Sequence, residues 1–414
     1  MNNEPIIIAN GMIKPMTGEK EFVGSILVNE GKIAKILPCD FSEDETGRPE
    51  NMPYSENTLK EVFGLSTDLN VKIISAQGKW VLPGYIDAHC HVGIGEEIFQ
   101  YEGDDINEAT DPLTPELRAI DGINPEDEGF RDARLGGVTA AFTCPGSANV
   151  IGGTGVVVKT AGRVVEEMIL REPAGLKVAF GENPKVVYGE QKKMPMTRMG
   201  TAALLRQALV DAQNYREKLE QGKTDPDKLP ERDLGLETIK LVLEKKIPLR
   251  AHAHRADDIM TAIRIAREFN VDLVLEHCTD GHKIADILQK YHYPAAIGPS
   301  FTNRAKVELK DRTFSTPGVL AKAGLKVAIM TDHSVTPIQY LPLCAAMAVR
   351  SGMDIEDALK AITIWPAEIL GVADRIGSLA EGKDADIVIW DGEPLGFHSV
   401  PETVLINGTI VKPE

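Results

Sequence analysis

The chain has no apolar run approaching the ~20 residues that a membrane-spanning helix needs, so no segment reads as a bilayer span. Its opening residues, Met-Asn-Asn-Glu-Pro, are polar and acidic and carry no mark of a secretory leader. Cysteine is sparse. Cys39, Cys90, Cys144, Cys278 and Cys344 are scattered and odd in number, and no Cys-x-x-Cys occurs. A reduced, cytoplasmic setting is the expectation. Basic charge is in deficit, with 45 Lys and Arg against 62 Asp and Glu, a net charge of −17. That balance argues against nucleic acid or an anionic membrane as partner and leaves a small molecule as the expected ligand. There is no internal repeat and no low-complexity tract.

What remains is an ordinary folded composition, 43% hydrophobic over 414 residues. That length is generous for one domain but suits a barrel of ~250 residues with additions. Residues 5–38 carry β-branched runs broken by Asn-Gly and Glu-Gly turn signals. Residues 39–70 turn acidic and polar and read as an insertion or surface excursion, with a short helix over 57–63. From residue 81 apolar runs of about five residues recur, at 81–92, 137–144, 155–160 (the weakest), 176–182, 247–254, 271–277, 293–298 and 325–332. Amphipathic stretches separate several of them, notably 201–222 and 257–269, where apolar residues recur near the 3.6 spacing of a helix. Eight alternations of strand and helix predict an α/β fold, a (β/α)8 TIM-like barrel over 81–377. After a last helix over 354–370 the chain returns to β character. The two ends, 1–80 and 378–414, are expected to pair into a small composite β-sandwich.

Active sites of this architecture lie where barrel strands end. The first strand closes on His89-Cys-His91, and alternation in a strand puts both histidines on one face. On its own this pair is a weak metal motif. The later strand ends add Glu182, with Lys177 inside the same strand, then His252 and His254, His277, and Asp332 followed by His333. Six of nine histidines fall at such ends, whereas His282, His292 and His398 do not. Convergence from several strands outweighs the ordinary reading of each one as a packed polar residue. Imidazole and carboxylate donors suit zinc first, and also manganese, nickel or iron.

These motifs resemble the amidohydrolase superfamily of metal-dependent hydrolases. Residues 83–91, Pro-Gly-Tyr-Ile-Asp-Ala-His-Cys-His, match its opening motif, and residues 377–390, which re-enter the terminal β region, resemble its closing one. The resemblance spans nearly the whole chain except 39–70; it is specific for the superfamily and poorly specific for substrate, and these two generic motifs do not single out imidazolonepropionase. It implies one or two divalent ions, with His89, His91 and Asp332 on the first and His252 and His277 on the second. A bridging carboxylate is implied as well. Glu182 resembles that of adenine deaminase-like members, and Lys177 resembles the carboxylated lysine of dipeptidase-like members. Glu182 is preferred, and Lys159 is a distant third. A homo-oligomer is implied by the family alone.

The chemistry implied is hydrolysis of a C–N bond in an amide, cyclic amide or dipeptide by metal-activated water. Asp332 would move the proton, and His277 or His254 would stabilise the oxyanion. Deamination of an amidine-like ring is the neighbouring alternative, and a metal-free scaffold of the same fold the remote one. Arg255, His333 and Asn149 are the candidate substrate contacts, with Lys192, Lys193 and Arg198 as a weaker basic clamp. The glycine-rich 144–155 loop permits close approach of backbone to a ligand. The acidic 96–128 loop either closes over the pocket or is a solvated face.

Overall fold

The computed structural model describes residues 4–38, 56–98 and 100–411. Most of the acidic excursion expected over 39–70 lies outside the described residues, as does Cys39; the helix Glu56–Val62 is its described part.

Eight strands form the central sheet: β1 Tyr85–Cys90, β2 Val138–Thr143, β3 Ile151–Lys159, β4 Ile169–Ala179, β5 Leu249–Ala253, β6 Leu273–His277, β7 Ala295–Ile297 and β8 Val327–Ile329. They pair in sequence order, and the sheet is a nearly closed barrel. Its seam is tied at one end, where Asp332 N–H donates to His89 O (3.2 Å) and His91 N–H to His333 O (2.8 Å). Every residue of β1, β2, β5 and β6 is buried, because one face looks into the barrel and the other lies under helices.

The barrel departs from regular alternation at β3, which runs antiparallel to both β2 and β4. Chain length is the cause. Only residues 144–150 join β2 to β3. A crossover to a parallel neighbour needs about a dozen residues or more, so a short link returns the chain in the opposite direction. The link from β3 to β4, residues 160–168, is also short and holds one four-residue helical turn, Val165–Met168. The strand expected at 155–160 therefore begins earlier and points the other way, and Gly152, Gly153 and Gly155 belong to it rather than to a ligand-binding loop. At Gly155 a Cβ would lie 2.4 Å from the Phe142 ring, so glycine there lets β3 pack directly on β2.

The reversal sends Lys159 to the opposite end of the barrel from the histidines. There its Nζ is buried and bonded to Asp384 Oδ2 (2.9 Å), Asp386 Oδ1 (2.8 Å) and Asn407 Oδ1 (2.6 Å). Those partners come from the C-terminal segment. A second sheet joins the strand Ile387–Trp390 from that segment, antiparallel, to Trp80–Pro83 from the N-terminal one. It includes strands from both ends of the chain.

The long helix Arg198–Gly222 starts where the Thr197 side chain accepts the Gly200 N–H, and it buries Leu205, Ala208, Leu209 and Ala212. The single helix expected over 354–370 is two, Ile355–Lys360 and Ile364–Leu370. Pro366 explains the break, since it offers no N–H to an incoming turn and its ring crowds the preceding one. No helix among the described residues is long and apolar enough to cross a membrane.

Candidate active site

Side chains from four strands meet at the seam end of the barrel. His89 and His91 stand at the end of β1 with ring centroids 5.3 Å apart. His252 is the penultimate residue of β5, His254 follows the strand, and His277 ends β6; their rings lie 4.3 to 4.8 Å from one another. His89 is 5.4 Å from His277 and links the two sets. Asp332, just past β8, holds Oδ1 at 3.3 Å from Nε2 of both His89 and His91. Donor atoms lie within 4.8 Å of one another in each of three sets: His89, His91 and Cys144; His252, His254 and His277; and His89, His277 and Asp332.

The backbone bends to achieve this. Glu276 and His277 are neighbours in β6, and strict alternation would aim them to opposite faces. His277 takes φ +65° and Asp332 φ +56°, in the left-handed region that side chains other than glycine seldom adopt. Such backbone costs of order 1 kcal/mol per residue and gathers at functional sites.

Hydrogen bonds orient the rings. His91 Nδ1 lies 2.7 Å from Cys144 O, and His277 Nδ1 2.8 Å from Gly298 O. A carbonyl only accepts, so both Nδ1 atoms carry the proton and both Nε2 atoms keep a lone pair. His89 Nδ1 faces Glu276 Oε1 at 3.1 Å to the same effect. His254 Nδ1 bonds Thr279 Oγ1 at 2.8 Å. His252 is the exception: both ring nitrogens are buried without a hydrogen-bond partner. Among the described residues nothing bonds this ring, and an ion or a water could supply the partner such a buried group ordinarily has.

Burial holds His252 and His254 well below the usual imidazole range and pushes His277 down to about 3. Burial alone would raise Asp332, but its contacts with the His89 and His91 rings keep it well below its ordinary value. Neutral His252, His254 and His277 beside an ionised Asp332 are protonation states that metal binding requires, whereas His89 is pushed well above the usual imidazole range, against burial, by the Cys144 and Glu276 charges. The donor set and the unpartnered His252 together fit a divalent cation.

Beneath this ring lies a hub that sequence reasoning missed. Glu276 is fully buried and bonds Lys177 Nζ (2.7 Å) and Arg250 Nε (2.7 Å) besides facing His89. Arg250 also donates to Ala88 O (2.6 Å) and stacks over Phe142. Burial would lower the Lys177 ammonium, but the Glu276 charge raises it instead. The hub was hidden by alternation, which assigns Glu276 to the far face from His277; the clue was the pair Lys177 and Arg250, both buried inside strands of one barrel.

The remaining candidates fall at different distances from the centre. Lys177 Nζ lies 3.2 Å from His89 Nε2. Glu182 is half-buried in the first turn of the helix Glu182–Glu190 and belongs to none of the three donor sets. Arg255 is paired bidentately with Asp257 (3.0 and 2.9 Å). Arg198 is held by Asp258 (2.9 Å), and Lys193 by Thr110 O (3.0 Å). Asn149 spends both ends of its amide on Glu108 O, Thr114 and Tyr188, which makes it a strut between loops. His333 accepts the Ile338 N–H at Nδ1 and packs tightly against Gly129. The 96–128 loop lies along β3, with Thr114 N–H donating to Ile151 O (2.9 Å).

Comparisons with known proteins agree with this geometry. A model of the amidohydrolase family matches residues 213–411. The crystal structure of an amidohydrolase from Thermotoga maritima MSB8 is 45% identical, covers 98% of this chain and 99% of that one, and superposes with a TM-score of 0.88. Amidohydrolase tasK of Hapsidospora irregularis is 29% identical over 98% of this chain, which spans only 43% of that protein's length. An imidazolonepropionase from Polaromonas sp. is 24% identical over 80% of this chain and 81% of its own. The chain belongs to the amidohydrolase superfamily.

Proposed function

We propose that the chain is a divalent-metal-dependent enzyme that hydrolyses the C–N bond of a small amide, cyclic amide or dipeptide. The observation that carries this reading is the convergence of His89, His91, His277 and Asp332 on a His252 whose two nitrogens are buried without partners. His89, His91 and Asp332 would hold one ion, and His252 and His277 a second, with zinc the first choice and manganese, nickel or iron the others.

Bound there, a divalent ion supplies a Lewis acid and lowers the pKa of water toward ~7. The chain's own groups do the rest. Asp332, ionised and 3.3 Å from Nε2 of both His89 and His91, is placed to take a proton from the attacking water and pass it to the leaving nitrogen. His254, neutral and fixed by Thr279, is placed at the rim to donate toward a developing oxyanion. Lys177 is the better bridging candidate of the two strand-four residues, because Glu276 holds its Nζ beside His89 whereas Glu182 starts a helix outside the donor sets. Its carboxylation would join Nζ to the carbon of CO2, the ammonium giving up two N–H protons to leave a carbamate anion.

The reading extends to a cytoplasmic homo-oligomer in which residues 1–80 and 378–414 form a composite β-sandwich. The buried free thiols of Cys90, Cys144, Cys278 and Cys344 support the compartment and the shared sheet of the two ends supports the sandwich, while the homo-oligomer rests on the family resemblance alone. The direct test is a panel of N-acyl amino acids, dipeptides and cyclic amides, assayed for amine and ammonia release before and after chelation. Amine release abolished by chelator and restored by zinc or manganese is the expected result. Ammonia release from amidine-like rings alone would make the enzyme a deaminase, and turnover indifferent to chelation would remove the metal from the account.

A further inference from the structure

Charged side chains around the barrel mouth are mostly engaged in short pairs. Arg255 is taken by Asp257, Arg198 by Asp258, and Lys283 by Asp280 at 2.7 Å. Glu308 differs. It lies between β7 and the helix Thr316–Lys322, and its side chain is 1% exposed. Its Oε2 accepts the Glu182 N–H at 3.1 Å. Its Oε1 has only long contacts, Lys306 Nζ at 3.4 Å and His254 Nε2 at 3.7 Å. The short bond of Lys306 goes elsewhere, to Asn183 Oδ1 at 2.6 Å. One oxygen of a buried carboxylate therefore stands beside His254, the oxyanion-facing histidine, and among the described residues lacks the ~2.7–2.9 Å charge-assisted bond such an atom ordinarily makes. A cavity of about 410 Å³ adjoins Glu308, its acids Asp257 and Asp280 set among the cations Arg255, Lys283 and Lys310.

The geometry points to Glu308 as the substrate-selecting residue of this site, its Oε1 receiving a cationic nitrogen, so that the enzyme takes amides bearing a protonated amine ahead of neutral cyclic amides or N-acylated compounds. The inference rests on the hydrolytic reading above. An arriving ammonium supplies the short bond. A neutral ligand seals the same charge away from water without one, so discrimination works against neutral substrates as much as for charged ones. An unblocked dipeptide has this chemistry, with a scissile amide to set among the histidines and an ammonium close to it.

Binding separates the inference from the hydrolytic reading. The probes are a non-hydrolysable phosphinic pseudodipeptide with a free amine and its N-acetyl derivative, titrated calorimetrically into the metal-loaded full chain. The wild type is expected to bind the free-amine probe tighter by about 30-fold or more, and Glu308→Gln, which keeps an acceptor for the Glu182 N–H, to cut that preference to within about 3-fold at unchanged metal content. Lys306→Met removes the local competing cation and should tighten the free-amine probe. The inference is overturned if the wild type shows no amine preference, if Glu308→Gln weakens both probes alike, or if Lys306→Met weakens the free-amine probe. A preference that disappears with Glu308 supports it even if no dipeptide is hydrolysed, an outcome that sinks only the hydrolytic reading. Hydrolysis of dipeptides and their N-acetyl forms at equal efficiency sinks only this one.

Discussion

At the scale of single residues the account turns on which side chains do chemistry and which hold them. Asp332 touches two histidines and is kept ionised by them, so Asp332→Asn preserves shape while removing the proton acceptor. Its kcat should fall by about 10³-fold with metal largely retained, read by steady-state kinetics beside metal analysis. Substantial residual activity would show that another group moves the proton. Lys177 and Glu182 separate in the same way. Lys177→Met should weaken metal binding by about 10-fold or more, whereas Glu182→Gln should leave it within about 3-fold, measured by competition with a chromogenic chelator. The reverse order would restore Glu182 as the bridge. The histidines and Asp332 were legible because each ends a run of β-branched and apolar residues, where a barrel presents its chemistry. Glu276 was not legible, because a left-handed His277 overrides the alternation on which that reading depends. Glu308 was not either, since no periodicity places a loop carboxylate near a strand end.

Among elements, β3 teaches most. Composition marked it as a weak strand, and its direction was recoverable from link length, since residues 144–150 are too few for a crossover. Direction decides function here. A parallel β3 would deliver Lys159 to the histidines; the antiparallel one delivers it to Asp384 and Asp386 at the other end. Lys159→Ala leaves buried Asp386 without its described cation, while Asp384 keeps Lys32 and Arg375, and should destabilise the fold by about 3 kcal/mol, with kcat/KM of the folded enzyme unchanged. Denaturant unfolding followed alongside activity checks this. A large loss of turnover without loss of stability would place Lys159 in the chemistry after all. The split of the expected 354–370 helix was equally readable in retrospect, from Pro366 within it.

For the whole molecule, the relation of the two ends to the barrel matters most. The strand Ile387–Trp390 pairs with Trp80–Pro83, which leads straight into β1, and Trp390 packs on Tyr85 with ring centroids 5.2 Å apart. The C-terminal segment also supplies every side-chain partner described for Lys159 Nζ. Removing residues 378–414 should therefore yield an insoluble or non-cooperatively unfolding chain rather than a stable barrel, as judged by solubility and thermal melting. A soluble fragment with a sharp transition would show that the barrel stands alone. Matching β texture at the two ends made their pairing legible, but burial of their charges against the barrel floor involves contacts between residues more than 200 positions apart that no local pattern encodes.

The central claim is that the histidines at the barrel seam hold divalent metal. Metal content per chain, measured for the purified protein and for His91→Ala and His252→Ala, tests it most directly. One to two equivalents of zinc, manganese, nickel or iron in the wild type, falling in each variant together with turnover, is the result predicted. A wild-type chain that carries no divalent ion, takes none up when supplied with zinc or manganese, and still hydrolyses its substrate would contradict the claim.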